Sequence, residues 1–220
     1  MVSGLIDEYP DTFAAIYFHV SGDGYDKPWG NDRGALFYDI WSDGVPWLAY
    51  DGLWDAWPID TYESKLNLRQ AITTDVTIEM GGVEADPVSH TFDVTARVCV
   101  EPDGVGRALR VYMIQALDHF PAEPSYERNC FLQAATTEDV TIAAGECAEV
   151  VRAFTFDSVS WARPSDIRIV AWAQAPLDVA PAEVAQARVM RWPFSALGSV
   201  FVDGFESGDT SGWSTTAPAP

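Results

Sequence analysis

The sequence predicts an α+β protein, with an α/β layer in the first third and an antiparallel β-sandwich in the remainder. Three observations carry this expectation. Between residues 13 and 73, short apolar runs alternate with stretches spaced for one helical face, the order of a layered α/β unit. From residue 75 the helical period disappears and six segments rich in Val, Ile, Thr and aromatics follow, most of them separated by Gly, Pro or Asp turns. Apolar residues make up 48% of the 220, enough to bury a core in one large domain or two small ones. The expected division is residues 1–74, residues 75–195, and an acidic Gly/Ser/Pro-rich tail at 196–220.

The elements follow in order. FAAIYFHV (13–20) is continuously apolar, as a central strand covered on both faces would be. PWGNDRGALFYDIW (28–41) places Leu36, Phe37, Ile40 and Trp41 on one helical face. VPWLAY (45–50) reads as a second short strand and TYESKLNLRQAIT (61–73) as a second amphipathic helix. The strand-like segments after residue 75 are DVTIEMGG, SHTFDVTARVCVEP, GRALRVYMIQALDH, DVTIAAGECAEVVRAFTFD, SDIRIVAWAQAP and EVAQARVMRWPF. In 91–101, Phe92, Val94, Ala96, Val98 and Val100 fall on one face and Thr91, Asp93, Thr95, Arg97, Cys99 and Glu101 on the other. That alternation describes a half-buried antiparallel strand. The last residues are small, polar or proline and read as a flexible end.

The formal charge is −20, from 33 Asp and Glu against 13 Lys and Arg, and the only lysines are Lys27 and Lys65. The acidity is spread along the chain. It argues against nucleic acid, whose phosphates need a basic footprint, and against anionic membrane surfaces. Cations, basic partners or a saline medium are compatible with it. The longest apolar stretch falls far short of the ~20 residues that span a bilayer. The amino terminus lacks a charged region followed by an apolar one, so either export by that route is not used or the chain begins after processing or truncation.

Five stretches, YPDTFAAIYFHVSGDGY, NDRGALFYDIWSDGVPWLAYDG, VYMIQALDHF, TTEDVTIAAGEC and IRIVAWAQ, together resemble the bacterial outer-membrane-protein-28-like family over roughly residues 5–194. The resemblance implies a partial thioredoxin-like layer followed by an immunoglobulin-like sandwich. It implies that Leu5 begins near the end of the first thioredoxin helix, with the first strand and the Cys-X-X-Cys turn upstream. Within Val45-Pro46-Trp47, Pro46 matches the cis-proline position, without the dithiol it would face; a trans proline opening a strand is the alternative. DGFESGDTSGW (203–213) is similar to segments that close many exported bacterial proteins, and to the opening of some jelly-roll carbohydrate-binding domains.

Candidate chemistry is sparse. Thiol redox work needs a thiolate of lowered pKa, commonly in a Cys-X-X-Cys turn at a helix amino terminus, and Cys99, Cys130 and Cys147 have no such setting. Three cysteines allow three single bridges. Cys99 near one strand's end and Cys147 at another's start favour a Cys99–Cys147 disulfide and an oxidising compartment, leaving Cys130, in the loop segment YERNCFLQ, free or intermolecular. His19, His90 and His119 are too scattered for zinc, and no Gly-X-Ser-X-Gly elbow is present. The loop around Asp23, Asp26, Asn31 and Asp32, and the tail carboxylates Asp203, Glu206 and Asp209, are calcium candidates set against solvated turns and helix caps. Trp29, Trp47, Trp54 and Trp57 are candidate binding aromatics, against the plainer reading as core. No catalytic residue and no cofactor is assigned.

The expected function is a non-enzymatic exported protein, extracellular, at the cell surface or periplasmic, that assembles with itself or holds another surface protein. The alternatives are a thiol-disulfide oxidoreductase with upstream cysteines and a carbohydrate-binding module.

Overall fold

Alternation along the strands from residue 76 onward sets the architecture. The computed structural model describes residues 2–10, 12–19, 24–40, 48–54, 62–121 and 127–198. Its elements are α1 (Val2–Glu8), α2 (Pro28–Asp32), β1 (Ala49–Tyr50), β2 (Leu53–Trp54), α3 (Tyr62–Gln70), β3 (Val76–Asp86), β4 (Thr91–Val100) and β5 (Arg107–Leu117). There follow β6 (Cys130–Ala134), β7 (Glu138–Ile142), β8 (Cys147–Thr155), α4 (Ser158–Trp161), β9 (Ile167–Gln174) and β10 (Val184–Arg191).

In β4 every even-numbered residue from Phe92 to Val100 is buried, while the odd-numbered ones are half-exposed or exposed. β3 and β8 flank it in an antiparallel sheet of order β3-β4-β8. Facing it is a five-stranded antiparallel sheet of order β10-β9-β5-β6, in which β7 shares the β6 edge of β5. A register shift between Gln115 and Ala116 lies within the β6 pairing, while β7 takes residues 107–111. The core between the sheets joins Val94, Val98, Val150 and Phe154 to Leu109, Met113, Ile167 and Ile169.

One end of this core is sealed by the rings of Phe92, Phe156, Trp161, Trp192 and Phe194. The chain after β10 reaches it by crossing β3, where the Gly82 amide donates to the Ser195 carbonyl at 2.8 Å. A Cβ on Gly81 would strike the backbone of Leu197. Gly81→Ala therefore has to push residues 194–197 off the strand, at a cost of about 1–3 kcal/mol for overpacking. Urea unfolding of the variant should show that loss; an unchanged midpoint would mean the crossing is not held against β3.

The amino-terminal third departs from expectation in two places. Of the stretch 13–20, the described residues 13–19 form no central strand but an extended segment lying on the outer face of the five-stranded sheet. It makes one parallel bridge, with Tyr17 pairing Cys130: the Tyr17 amide donates to Asn129 and the Phe131 amide to Tyr17. Ala14, Ile16 and Phe18 pack on a cluster formed by Tyr112, Ile114, Phe131, Val170 and Trp172. Phe13 packs instead against Leu5, Tyr50, Tyr62 and Leu66. The run reads as continuously apolar because neighbouring residues bury against two different clusters.

The second departure is in 28–41. After α2 the chain widens into a π-turn over Arg33–Phe37, closed by the Tyr38 amide donating to the Arg33 carbonyl at 3.2 Å. The extra residue in the turn rotates the face, so Leu36 is 71% exposed while Phe37 and Ile40 are buried. α3 buries Tyr62 and Leu66 as an amphipathic helix would. The described residues before Asp75 form no sheet beyond the two-residue pair β1–β2.

Candidate functional site

Cys99 and Cys147 stand directly opposite each other in the β4–β8 register, with Cα atoms 4.0 Å apart, and are joined in a disulfide. The bridge lies on the outward face of the three-stranded sheet. Beside it Arg97 sits between Glu79 and Glu149, reaching Glu149 at 2.7 Å and Glu79 at 3.6 Å. Farther along, the hydroxyls of Thr91 and Thr155 are 2.8 Å apart. Cross-strand polar pairs of this kind suit a solvated sheet face. Cys130 takes no part in the bridge. It opens β6 rather than lying in a loop, and it is fully buried.

A second constellation forms where the amino-terminal segment meets the sandwich. Arg33, only 7% exposed, is carried by the π-turn onto the middle of β5, at Tyr112, and the end of β9, at Gln174. Its Nη1 donates to the Tyr112 hydroxyl at 3.2 Å, and its Nη2 to the Tyr38 hydroxyl at 3.5 Å and to Gln174 Oε1 at 2.5 Å. The guanidinium lies 3.6 Å from the centre of the Phe37 ring and 4.8 Å from that of Tyr112, close enough for cation–π attraction. Gln174 is itself fixed, accepting from Trp172 Nε1 and donating to the Ala182 carbonyl. Burial pushes the Tyr38 phenol above its ordinary range, with Arg33 opposing.

A third network centres on Asp118, at the end of β5 and 2% exposed. It accepts from Arg128 Nε at 2.6 Å, from Arg168 Nη2 at 3.3 Å and from the His119 and Asn129 amides. Burial pushes its carboxyl upward, but Arg128 foremost, with His119 and Arg168, holds it below the usual carboxylate range. Arg128 also reaches Asp7 at 2.6 Å, which ties α1 to the sandwich.

The sequence-predicted site residues scatter. Val45, Pro46, Trp47 and Trp57 lie outside the described residues, as do Asp23, Asp203, Glu206 and Asp209; of Trp54 only the backbone is described. Asp26 accepts from Asn31 Nδ2 at 2.9 Å. Among the described residues no group of three or more His, Cys, Asp or Glu could hold a metal ion. Trp29 faces inward, its ring centre 5.2 Å from that of Phe131 and 6.4 Å from those of Tyr112 and Trp172. Trp29→Ala should therefore act on stability, by about 3 kcal/mol for a large ring removed from a packed cluster, and leave retention in polysaccharide-containing gels unchanged. A stable variant with lost retention would restore Trp29 to a binding surface.

Sequence reasoning missed Arg33 and Asp118. The available signal was polar residues set inside apolar strands, as in Arg110-Val-Tyr112, Gln115 and Trp172-Ala-Gln174.

No family model matches the chain, and no curated protein matches it. Among solved structures, HBP35 of Porphyromonas gingivalis is similar with a TM-score of 0.51 at 14% identity, over 63% of this chain and 48% of that one. The chain thus spans about half the length of the protein it matches. A β-glucosidase of family GH3 from Bifidobacterium adolescentis (TM-score 0.27, 19% identity, 54% of this chain and 17% of that one) also matches. So does a β-glucosidase from Kluyveromyces marxianus (0.29, 9%, 53% and 14%). At those scores the glucosidases carry no argument; the likeness to HBP35 is one of fold, and it fits a β-sandwich-like class.

Proposed function

We propose that the chain is a non-enzymatic exported protein of the outer-membrane-protein-28-like kind. It would reside outside the cytoplasm and serve as a structural or binding scaffold that associates with itself or with another surface protein. The observation that carries this reading is the Cys99–Cys147 bridge on an open sheet face, because cytosolic reductants keep such thiols reduced. Association is supported by β8, nine residues long and last in its sheet among the described residues; an edge of that length offers unpaired amides and carbonyls to another chain. The division at residue 75, with a thioredoxin-like layer before it, belongs to the same proposal.

The test is fractionation of the native host, with intact mass under reducing and non-reducing conditions, then sedimentation across a concentration series and electron microscopy. The expected result is a chain outside the cytoplasm, about 2 Da lighter when oxidised, that associates as concentration rises. Recovery of the reduced chain from the cytoplasm overturns export, and a strict monomer without ordered assemblies overturns self-association. Dithiol-dependent insulin reduction would put the oxidoreductase reading first, and retention on insoluble polysaccharide the carbohydrate-binding one.

A further inference from the structure

We propose that Arg33 and the open groove it lines bind a compact zwitterion, a small molecule with one carboxylate and one ammonium group, of which a free α-amino acid is the simplest case. This goes beyond the scaffold reading and does not depend on it.

The first observation is a buried cation without a counter-charge. A guanidinium offers five N–H donors and accepts nothing. The oxygens that Arg33 reaches, on Tyr38, Tyr112 and Gln174, are all neutral. Ring faces attract the cation but bring no negative charge. Eight other described arginines, Arg110, Arg128 and Arg168 among them, each pair with an Asp or Glu, though all are more exposed than Arg33. Arg188 and Arg191, both exposed, also meet no described carboxylate, but in a chain of net charge −20 Arg33 is the most enclosed arginine among the described residues and has none. Burying an unpaired charge is costly, and a partner carboxylate removes much of that cost.

The second observation is the space beside it. Arg33 lines an open groove of about 220 Å³ bordered by Trp29, Phe37 and Tyr112, with Thr137 also on the lining. At ~30 Å³ each, that is room for about seven waters, or for one amino acid. Both Nη2 hydrogens and one Nη1 hydrogen are already donated, which leaves the Nε–H and one Nη1–H of Arg33 to meet a carboxylate oxygen.

The third observation is the charge around the opening. Asp32 and Asp178 also line the groove, and Asp178 is almost wholly exposed. Arg110, the other cation there, is already held by Asp139 at 2.6 Å and Asp178 at 2.8 Å. The lining charges cancel, which disfavours a dianion, while the carboxylates at the opening suit an ammonium group. The occupant this chemistry recognises is neutral overall and charged at both ends, with its apolar part against the rings.

The experiment is calorimetric titration of the full chain with L-leucine, L-leucine methyl ester (no carboxylate) and 4-methylpentanoate (no ammonium). Leucine is expected to bind saturably, with each truncated probe about tenfold weaker or more. Asp32→Asn, an exposed change that leaves the hydrogen bonds of Arg33 intact, should weaken leucine several-fold without altering 4-methylpentanoate. Arg33→Lys, which keeps the charge and loses the fork, should abolish binding. No saturable binding of leucine, glycine or serine to the folded chain overturns the proposal and leaves Arg33 as a clamp between the amino-terminal segment and the sandwich. Equal affinity for leucine and its methyl ester overturns it as well.

Discussion

Replacing Cys99 and Cys147 together by alanine should lower the unfolding free energy by about 4 kcal/mol, the loop-closure value for a bridge spanning 48 residues. The effect acts on the unfolded chain, which without the bridge gains the freedom to separate β4 from β8. Denaturant unfolding of the bridged protein, the reduced protein and the double variant checks it. The reduced protein and the variant should share one midpoint, well below that of the oxidised chain. A loss under about 1 kcal/mol would mean that the unfolded state keeps the two strands together without the bond. Loss of this size is a large part of a stability that rarely exceeds about 15 kcal/mol, so reduction alone should make the chain marginal at elevated temperature.

Asp118→Asn should cost about 3–5 kcal/mol, because it leaves Arg128 and Arg168 without their shared buried carboxylate. The substitution keeps the shape and removes the charge. It should also flatten the acid limb of the stability curve. Asp118 has its folded pKa held below the unfolded value by Arg128, His119 and Arg168, so its contribution is fully present above the unfolded pKa, about 3.9. It is lost as pH falls from there through the lower folded value. Urea midpoints measured across acid pH should fall steeply for the native chain and less so for Asp118→Asn. Parallel curves would mean that the carboxyl titrates alike in both states. The variant should also loosen α1, since Arg128 links Asp118 to Asp7.

The strands of the sandwich are legible in the sequence because burial on one face imposes a period of two. β4 shows it without exception, and Cys99 and Cys147 can be placed near strand ends from the same pattern. β6 is not legible. Its five residues are short, Cys130 and Phe131 are buried in succession, and the flanking Tyr126-Glu127-Arg128-Asn129 reads as loop. DVTIAAGECAEVV reads as one segment but divides at Ala144-Gly145 into β7 and β8. In the amino-terminal third the difficulty is different. Residues 13–18 serve two clusters at once, so their apolar run matches the signature of a central strand. The π-turn at 33–37 breaks the helical period where Arg33 is delivered. A lone arginine in an acidic, aromatic stretch gives no sign of the three neutral partners waiting 5, 79 and 141 residues away.

Those separations give the packing of Ala14, Ile16, Phe18 and Trp29 on Tyr112 and Trp172 a temporal meaning. The surface these residues cover is complete only once the strand carrying Trp172 exists, some 140 residues after Trp29. At 5–20 residues per second, that is a wait of roughly 7–28 s during synthesis. Throughout it Ala14, Ile16, Phe18 and Trp29 lack part of the surface they cover and are open to capture by a chaperone or an export machine. During synthesis the contacts with Trp172 are therefore among the later ones this segment can make.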